Sequence, residues 1–315
     1  MTAEPYRSFN AHLRERFGCR VDRVAVDGGF TCPNLDGTKG VGGCRFCDVA
    51  GSLAPYGQPG LPVAEQVALG IQRLSRRAKR QKFIVYFQSF TATYAPPERL
   101  RALCEEALKA DERIVGLAVG ARPDCLGEPI LEALEAFHRQ TYLWIDVGLE
   151  TTNDQTLERI NRQAATADFI ESMRRVKARA LRVCAHVIFG LPGDSPADML
   201  GSIDLVNGLG LDGVKIHNLY IDSRSPFGLQ WKRGQLQLMD REAYIDLVCR
   251  ALARLRPDVL VHRLTGEAPR RWHLAPDWAR NKQELLGAIR AELARRGVFQ
   301  GCEWKGSAGA QAGAQ

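Results

Sequence analysis

Short unbroken apolar runs alternate with stretches in which apolar residues recur every three or four positions, and this alternation dominates the chain from Val21 to His217. Val21, Val24 and Val26 suggest a first strand. Val67, Ile71, Leu74 and Ala78 then recur at helical spacing, and Phe83 to Phe87 form a continuous apolar run of strand type. The unit repeats as helix 97–110 with strand Ile114 to Val119, and helix 127–139 with strand Tyr142 to Val147. A helical stretch from Asn153 to about Ala180 leads into strand Arg182 to Phe189, and helix 196–207 leads into Gly213 to His217. Ser195-Pro196-Ala197-Asp198 gives that last helix an N-cap, a first-turn proline and an acid at the third position.

Six strands that are apolar on both faces, each reached through a helix, predict a parallel sheet with right-handed crossovers. Such a sheet either stays open or curls into a full or partial barrel, and periodicity does not choose between them. In both cases functional groups gather at the carboxyl ends of the strands. Here those ends carry Gln88-Ser89, Arg122-Pro123-Asp124, Gly148-Leu149-Glu150, Gly190 to Asp194, and His217 to Tyr220. Lys215 and His217 share one face of the last barrel strand, which points inward in a barrel, so they are candidates for acting on a substrate. His186, flanked by apolar strand residues, reads as a hydrogen-bonded core histidine, and Arg122 with Asp124 as either an ion pair of the scaffold or a functional pair.

Residues 1–20 form a polar lead with a short helix, residues 21–225 the barrel, and residues 226–305 a mostly helical extension. The extension contains a helix over 240–255, a short extended piece Val259 to Val261, the segment His262-Arg263-Leu264-Thr265-Gly266-Glu267-Ala268-Pro269 and a final helix over 281–296. It is expected to pack on or close the barrel. Residues 306–315 are low-complexity and expected to be disordered. No stretch reaches the roughly 18 uncharged apolar residues of a membrane span, and the first residues carry no secretory pattern, so a cytoplasmic location without membrane partners is expected.

Charge adds a possible class of partner. Forty-three basic against 36 acidic residues give a net charge of +7, which is compatible with nucleic acid without demanding it. Basic residues concentrate at Arg76 to Lys82 and again between Arg270 and Arg296.

Nine cysteines, an odd number, suit ligands or buried thiols better than a disulfide framework. Cys104, Cys125, Cys184 and Cys249 sit within apolar patterns and read as buried thiols. Cys32, Cys44 and Cys47 instead cluster at C-x11-C-x2-C spacing in a glycine-rich loop after the first strand. Zinc would want a fourth ligand, for which Cys19 or His12 is available. A [4Fe-4S] cluster held by three thiolates would instead keep one iron open to an exogenous ligand.

The loop reads Gly29-Phe30-Thr31-Cys32-Pro33-Asn34 through Gly43-Cys44-Arg45-Phe46-Cys47. It is followed in order by Tyr86-Phe87-Gln88, Arg122 to Cys125, Gly148-Leu149 with Thr151, Asn161-Arg162, His186 through Gly193, and Lys215 to His217. Over about residues 20–220 this resembles the radical SAM superfamily, and more narrowly the bacterial group close to the radical SAM domain of the elongator complex catalytic subunit. Arg263 to Pro269 also looks like that narrower group.

The resemblance implies a partial (β/α)6 barrel, with Cys32, Cys44 and Cys47 holding a [4Fe-4S] cluster whose open iron takes S-adenosylmethionine. One-electron cleavage would then give a 5'-deoxyadenosyl radical, fed by a donor such as flavodoxin or ferredoxin. Carried over by position, Phe46 lies beside the cofactor, Gln88 and Ser89 meet its methionine amino group, Glu150 its ribose hydroxyls, and Arg162 its carboxylate. Backbone at Phe189 and Gly190 follows the adenine.

Where the elongator-like pattern has Glu-Leu-Gly-Val-Gln-Ser, this chain has Asp146-Val-Gly-Leu-Glu150-Thr. Where the pattern has Asn-Arg-Gly-His, it has Asn161-Arg162-Gln163-Ala164, which puts a role for that histidine in doubt. No acetyltransferase sequence follows the barrel. Modification of the wobble uridine of tRNA is the leading substrate expectation. A small metabolite or a protein is the enzymatic alternative, and a zinc- or cluster-containing nucleic-acid-binding protein the non-enzymatic one.

Overall fold

The computed structural model describes residues 4–48, 60–75 and 81–306. The basic residues 76–80 and the tail 307–315 lie outside the described residues.

The strands are β1 (Arg20–Val26), β2 (Gln81–Phe87), β3 (Ile114–Ala121), β4 (Tyr142–Glu150), β5 (Val183–Phe189), β6 (Gly213–Asn218), β7 (Ile221–Asp222), β8 (Leu260–Arg263) and β9 (His273–Ala275). The helices are α1 (Phe9–Phe17), α2 (Val63–Ser75), α3 (Pro97–Lys109), α4 (Glu128–Gln140), α5 (Asp154–Arg159), α6 (Thr166–Ala178), α7 (Pro196–Gly208), α8 (Pro226–Lys232), α9 (Arg241–Arg254) and α10 (Lys282–Arg296). Seven strands build one sheet in the order β1-β2-β3-β4-β5-β6-β8, and every pairing in it is parallel. The sheet curls as a partial barrel whose end strands β1 and β8 do not pair with each other; Val261 of β8 is instead bridged to Ser8, just before α1.

Strand chemistry explains the layers. On the outer face Val24, Phe83, Val85, Leu117, Val119, Leu143, Ile145 and Val214 bury against apolar helix faces in the main core. On the inner face apolar residues fill only the amino-terminal end, where α1 inserts Phe9 and Leu13 against Ile84, Tyr142 and Trp144. Further along the same face the residues turn polar: Asp146, His186, Lys215 and His217. Period-2 alternation therefore gives an apolar floor and a polar mouth.

Two expectations are corrected. Leu260 and Val261 of the expected extended piece belong to a seventh sheet strand, because β8 pairs with β6 through Gly213–Leu260 and Val214–Val261, so the extension completes the sheet as well as packing on it. The stretch from Asn153 to Ala180 is two helices, not one. Asn161 (φ 56°) and Gln163 (φ 53°) are left-handed and interrupt it, a conformation that costs a non-glycine residue about 1 kcal/mol or more. Ser195 does cap α7, its hydroxyl accepting from the Asp198 amide while the Asp198 carboxylate accepts from the Ser195 amide. Cys104, Cys184 and Cys249 are buried, whereas Cys125 is partly exposed beside Asp124.

Candidate functional site

The cysteine loop leaves the carboxyl end of β1 and is held by the interrupted segment between α5 and α6. The Asn161 side-chain amide donates to Val41 O at 3.1 Å and Gly43 O at 2.9 Å. In return Asn34 donates to Asn161 O, and its amide nitrogen lies 3.6 Å from Cys44 Sγ. Arg45 N donates to Ile160 O, and Phe227 N to Arg45 O, both at 2.9 Å. Gly42 (φ 77°) and Gly43 (φ 70°) supply the left-handed turn that brings Cys44 back toward the sheet. The strained segment after α5 is thus the frame on which the loop is folded.

Arg162 stands at the centre of this frame, buried. Its Nη2 donates to Gly148 O at 2.8 Å and lies 3.5 Å from the Glu150 carboxylate, and its Nη1 lies 3.7 Å from Cys44 Sγ. Arg122 supports it from behind, donating to Arg162 O at 3.0 Å and Gln163 O at 3.1 Å while pairing with Asp124 at 2.9 Å. Arg122 and Asp124 are therefore an ion pair of the scaffold, and Lys39 joins it at 2.8 Å.

These charges decide ionisation. A hydrogen bond from Cys47, followed by the Arg162 and Arg122 charges, holds the Cys44 thiol down to about 5, against the cost of burial. The same hydrogen bond pushes the Cys47 thiol up, and the thiolate is the ligating form. Burial pushes Glu150 up to about 7 with Arg162 opposing. Glu150 also sits at a register shift in β4 with φ 67°, which turns its carboxylate toward Arg162.

Two adjoining cavities occupy the mouth. The first, of about 180 Å³, is lined by Cys32, Cys44, Cys47, Gln88, Glu150 and Arg162 among others. The second, of about 160 Å³, is lined by Ile188, His217, Tyr220 and Asp222 among others. Phe46, Cys47, Asp48, Glu150 and His186 belong to both walls. All three cysteines therefore face one space together with Phe46, Gln88, Glu150 and Arg162, while His217 faces the adjoining one.

Four expected site residues line neither cavity. Ser89 and Phe189 are buried, and the Gly190 amide (φ 90°) points at Met199 Sδ, 3.2 Å away. Lys215 is buried in an ion pair with Asp146, its ammonium 4.7 Å from the Tyr86 ring centroid.

Asp146, Asn34 and Asn161 were not singled out by chemistry in the sequence. The available signal was the alternation Asp146, Gly148, Glu150 on one face of β4. His186 is more than a core residue: its Nε2 is 3.6 Å from Asp146, its ring stacks on His217 at 5.7 Å, and it faces both cavities. Burial, then Lys215, pushes its pKa down to about 4, so it is neutral.

The zinc alternative lacks its fourth ligand. His12 bonds the Tyr142 hydroxyl at 2.9 Å, and Cys19 precedes β1, at the opposite end of the sheet from the loop. Among the described residues the group of three ligand atoms within 4.8 Å is Asp146, Cys184 and His186, whose carboxylate is already paired with Lys215. Cys32, Cys44 and Cys47 do not form a set of three whose ligand atoms all lie within 4.8 Å of one another.

Residues 38–206, over half of the chain, match the model of the radical SAM superfamily. The chain belongs to the radical SAM superfamily. Residues 211–295 of this radical SAM protein match the Radical SAM C-terminal domain, a span that begins just before β6 and takes in β6, β8 and most of α10. The chain is 39% identical over 300 residues to the uncharacterized protein YtqA of Bacillus subtilis (strain 168), covering 95% of this chain and 93% of that one. A tRNA uridine(34) acetyltransferase of Methanocaldococcus jannaschii is 26% identical over 172 residues, 52% of this chain and 31% of that protein. In structure, Elp3 of the archaeon Methanocaldococcus infernus superposes with a TM-score of 0.67 at 19% identity, covering 89% of this chain and 64% of that one, and so shares the fold. The cofactors are a [4Fe-4S] cluster and S-adenosylmethionine, and the superfamily's common chemistry is S-adenosylmethionine cleavage.

Proposed function

We propose that this radical SAM enzyme modifies the wobble uridine of tRNA, with the first cavity taking S-adenosylmethionine and the second the substrate nucleoside. The observation that carries the two-cavity reading is the shared wall of Phe46, Cys47, Asp48, Glu150 and His186. When bound, the cluster and S-adenosylmethionine supply a 5'-deoxyadenosyl radical, and contact between the cavities lets it meet substrate without crossing water.

The chain's own residues divide the work. Cys32, Cys44 and Cys47 hold the cluster. The Arg162 guanidinium presents a charged fork to the methionine carboxylate, and Glu150 accepts from the ribose hydroxyls. Gln88, in the wall of the first cavity, meets the amino group, whereas Ser89, Phe189 and Gly190, which line neither cavity, are given no direct contact with the cofactor. His217 and His186, both neutral, face the substrate. Lys215 holds Asp146 in place under His186 and acts through it. A flavodoxin- or ferredoxin-type donor supplies the electron, and the enzyme works in the cytoplasm.

Support for tRNA comes from the identity with the tRNA uridine(34) acetyltransferase and from the net charge of +7. Two separate measurements test the reading. Anaerobic protein given reductant and S-adenosylmethionine should release 5'-deoxyadenosine. The modified nucleosides of tRNA from cells with and without the gene should differ at a uridine; identical profiles under oxic and anoxic growth would remove tRNA and leave a metabolite or protein substrate.

A further inference from the structure

The partial barrel leaves a gap between β1 and β8, and that gap is cationic. Helix α1 packs on both edge strands, and a cavity of about 220 Å³ lies among α1, β8 and α10. Its charged lining is Arg14, Arg263, Lys282 and Arg290 against Glu4 alone. Glu4 already accepts from Ser8 Oγ at 2.7 Å, and the Arg290 charge acts on the Tyr6 phenol. Arg263 and Lys282 make no hydrogen bond or ion pair with any described residue.

Both are partly buried, and their like charges oppose each other. Burial, then Arg23 from β1, pushes Arg263 down, and burial, then Arg263, pushes Lys282 down; Glu267 is the acid whose field reaches both. Holding unneutralised cations together away from water is unfavourable unless an anion completes the site. An arginine fork and a lysine point charge, with Ser8 and Asn10 in the same wall, suit the tetrahedral oxygens of a phosphate.

The site is also joined to the substrate cavity. Arg263 is in register with Lys215 on β6. Three residues on, Gly266 N donates to Asn218 Oδ1 at 2.8 Å, and a Cβ there would stand 3.2 Å from His217 Nδ1 and 3.1 Å from Tyr220 Cδ1. One short segment thus carries Arg263 on one side and packs on the substrate cavity with the other. We propose that Arg263 and Lys282 bind a backbone phosphate of the RNA next to the nucleotide held in the substrate cavity. The RNA assignment rests on the tRNA reading above; the phosphate site does not.

The test uses full-length, anaerobically reconstituted protein. Inorganic phosphate should protect Lys282 from acetylation, read by mass spectrometry, and this needs no variant. Arg263→Gln with Lys282→Gln should weaken binding of unfractionated tRNA at least tenfold and flatten the plot of log affinity against log salt by about one, for the one phosphate released. Arg295→Gln, whose guanidinium is held by Glu292 on the outer surface, should leave that slope unchanged. Phosphate protection in a protein that binds no tRNA at low salt would support the phosphate site and overturn its RNA assignment. Equal acetylation with and without phosphate, together with an unchanged tRNA slope in the double variant, would overturn the site itself.

Discussion

Arg162 Nη1 stands 3.7 Å from Cys44 Sγ, so the cation that balances the cysteine loop comes from the break between two helices over a hundred residues later. Because the same guanidinium faces Glu150, removing it strands two buried anionic groups. Arg162→Gln should lower stability by about 3–5 kcal/mol, the usual cost of removing one partner of a buried pair. Arg162→Lys should recover part of the loss, having charge without the fork. Urea unfolding of the reconstituted protein measures both, and an unchanged midpoint for Arg162→Gln would remove the guanidinium from this balance.

Ligand identity separates cysteines that composition alone cannot. Cys32→Ala, Cys44→Ala and Cys47→Ala should each lose the cluster's visible absorbance and most of the bound iron and sulfide. Cys125→Ala and Cys19→Ala should keep both, although Cys125 lies close enough to Cys32 for the two to interact electrostatically. Loss of iron from the Cys19 variant would revive that residue as a ligand.

Gly148 has no room for a side chain. A Cβ there would come within 2.7 Å of Arg162 Nη2 and would also strike the Glu150 carboxylate. Gly148→Ala should therefore weaken S-adenosylmethionine binding by roughly tenfold or more, about 1.4 kcal/mol, while leaving the iron content unchanged. Equilibrium binding alongside an iron assay checks it, and wild-type affinity would show that neither side chain holds the cofactor.

Stability should fall in acid between about pH 6.5 and 4. Burial first, then neighbouring cations, holds His186, His217 and His262 below the ordinary histidine range, His186 at about 4. In that window the unfolded chain binds protons that the folded chain refuses, so stability rises with pH by up to about 1.4 kcal/mol per pH unit for each such histidine. His262 stacks on Phe9 at 3.8 Å, which makes His262→Phe a suitable probe. Urea midpoints across the window should show a slope reduced by about one proton in that variant. An identical slope would mean that His262 is protonated in the folded state.

Asp146 and Lys215 should behave as a unit. Asp146→Asn or Lys215→Met alone leaves the other charge buried and unpaired, whereas the two together remove both. Thermal unfolding of the single and double variants should give a coupling of roughly 1–3 kcal/mol, and strict additivity would deny the pair.

Much of this arrangement was legible in the chain. The period change between strand and helix exposed six βα units, and the three clustered cysteines share one cavity with Gln88, Glu150 and Arg162, which the family resemblance points to. Lys215 and His217 were correctly placed on the inward face. What could not be read was pairing across distance: nothing local to Lys215 announces Asp146, which is 69 residues away. The break at Asn161 and Gln163 was hidden because neither is glycine, and left-handed backbone in such residues is maintained by the loop contacts that it makes possible. The extended piece near Val261 was legible, but its place as the seventh strand beside β6 was not, since four residues carry no period.

That β1 and β8 do not pair with each other has a mechanical consequence. In a closed barrel, strand number and shear fix the radius. A seven-stranded sheet with two ends has no such constraint, and its curvature is set by what it wraps: Phe9, Leu13 and Trp144 at one end, and the Asp146–Lys215 pair further along. The gap between its end strands is spanned by α1 and by the Ser8–Val261 bridge, so a helix, not a strand pairing, completes the ring.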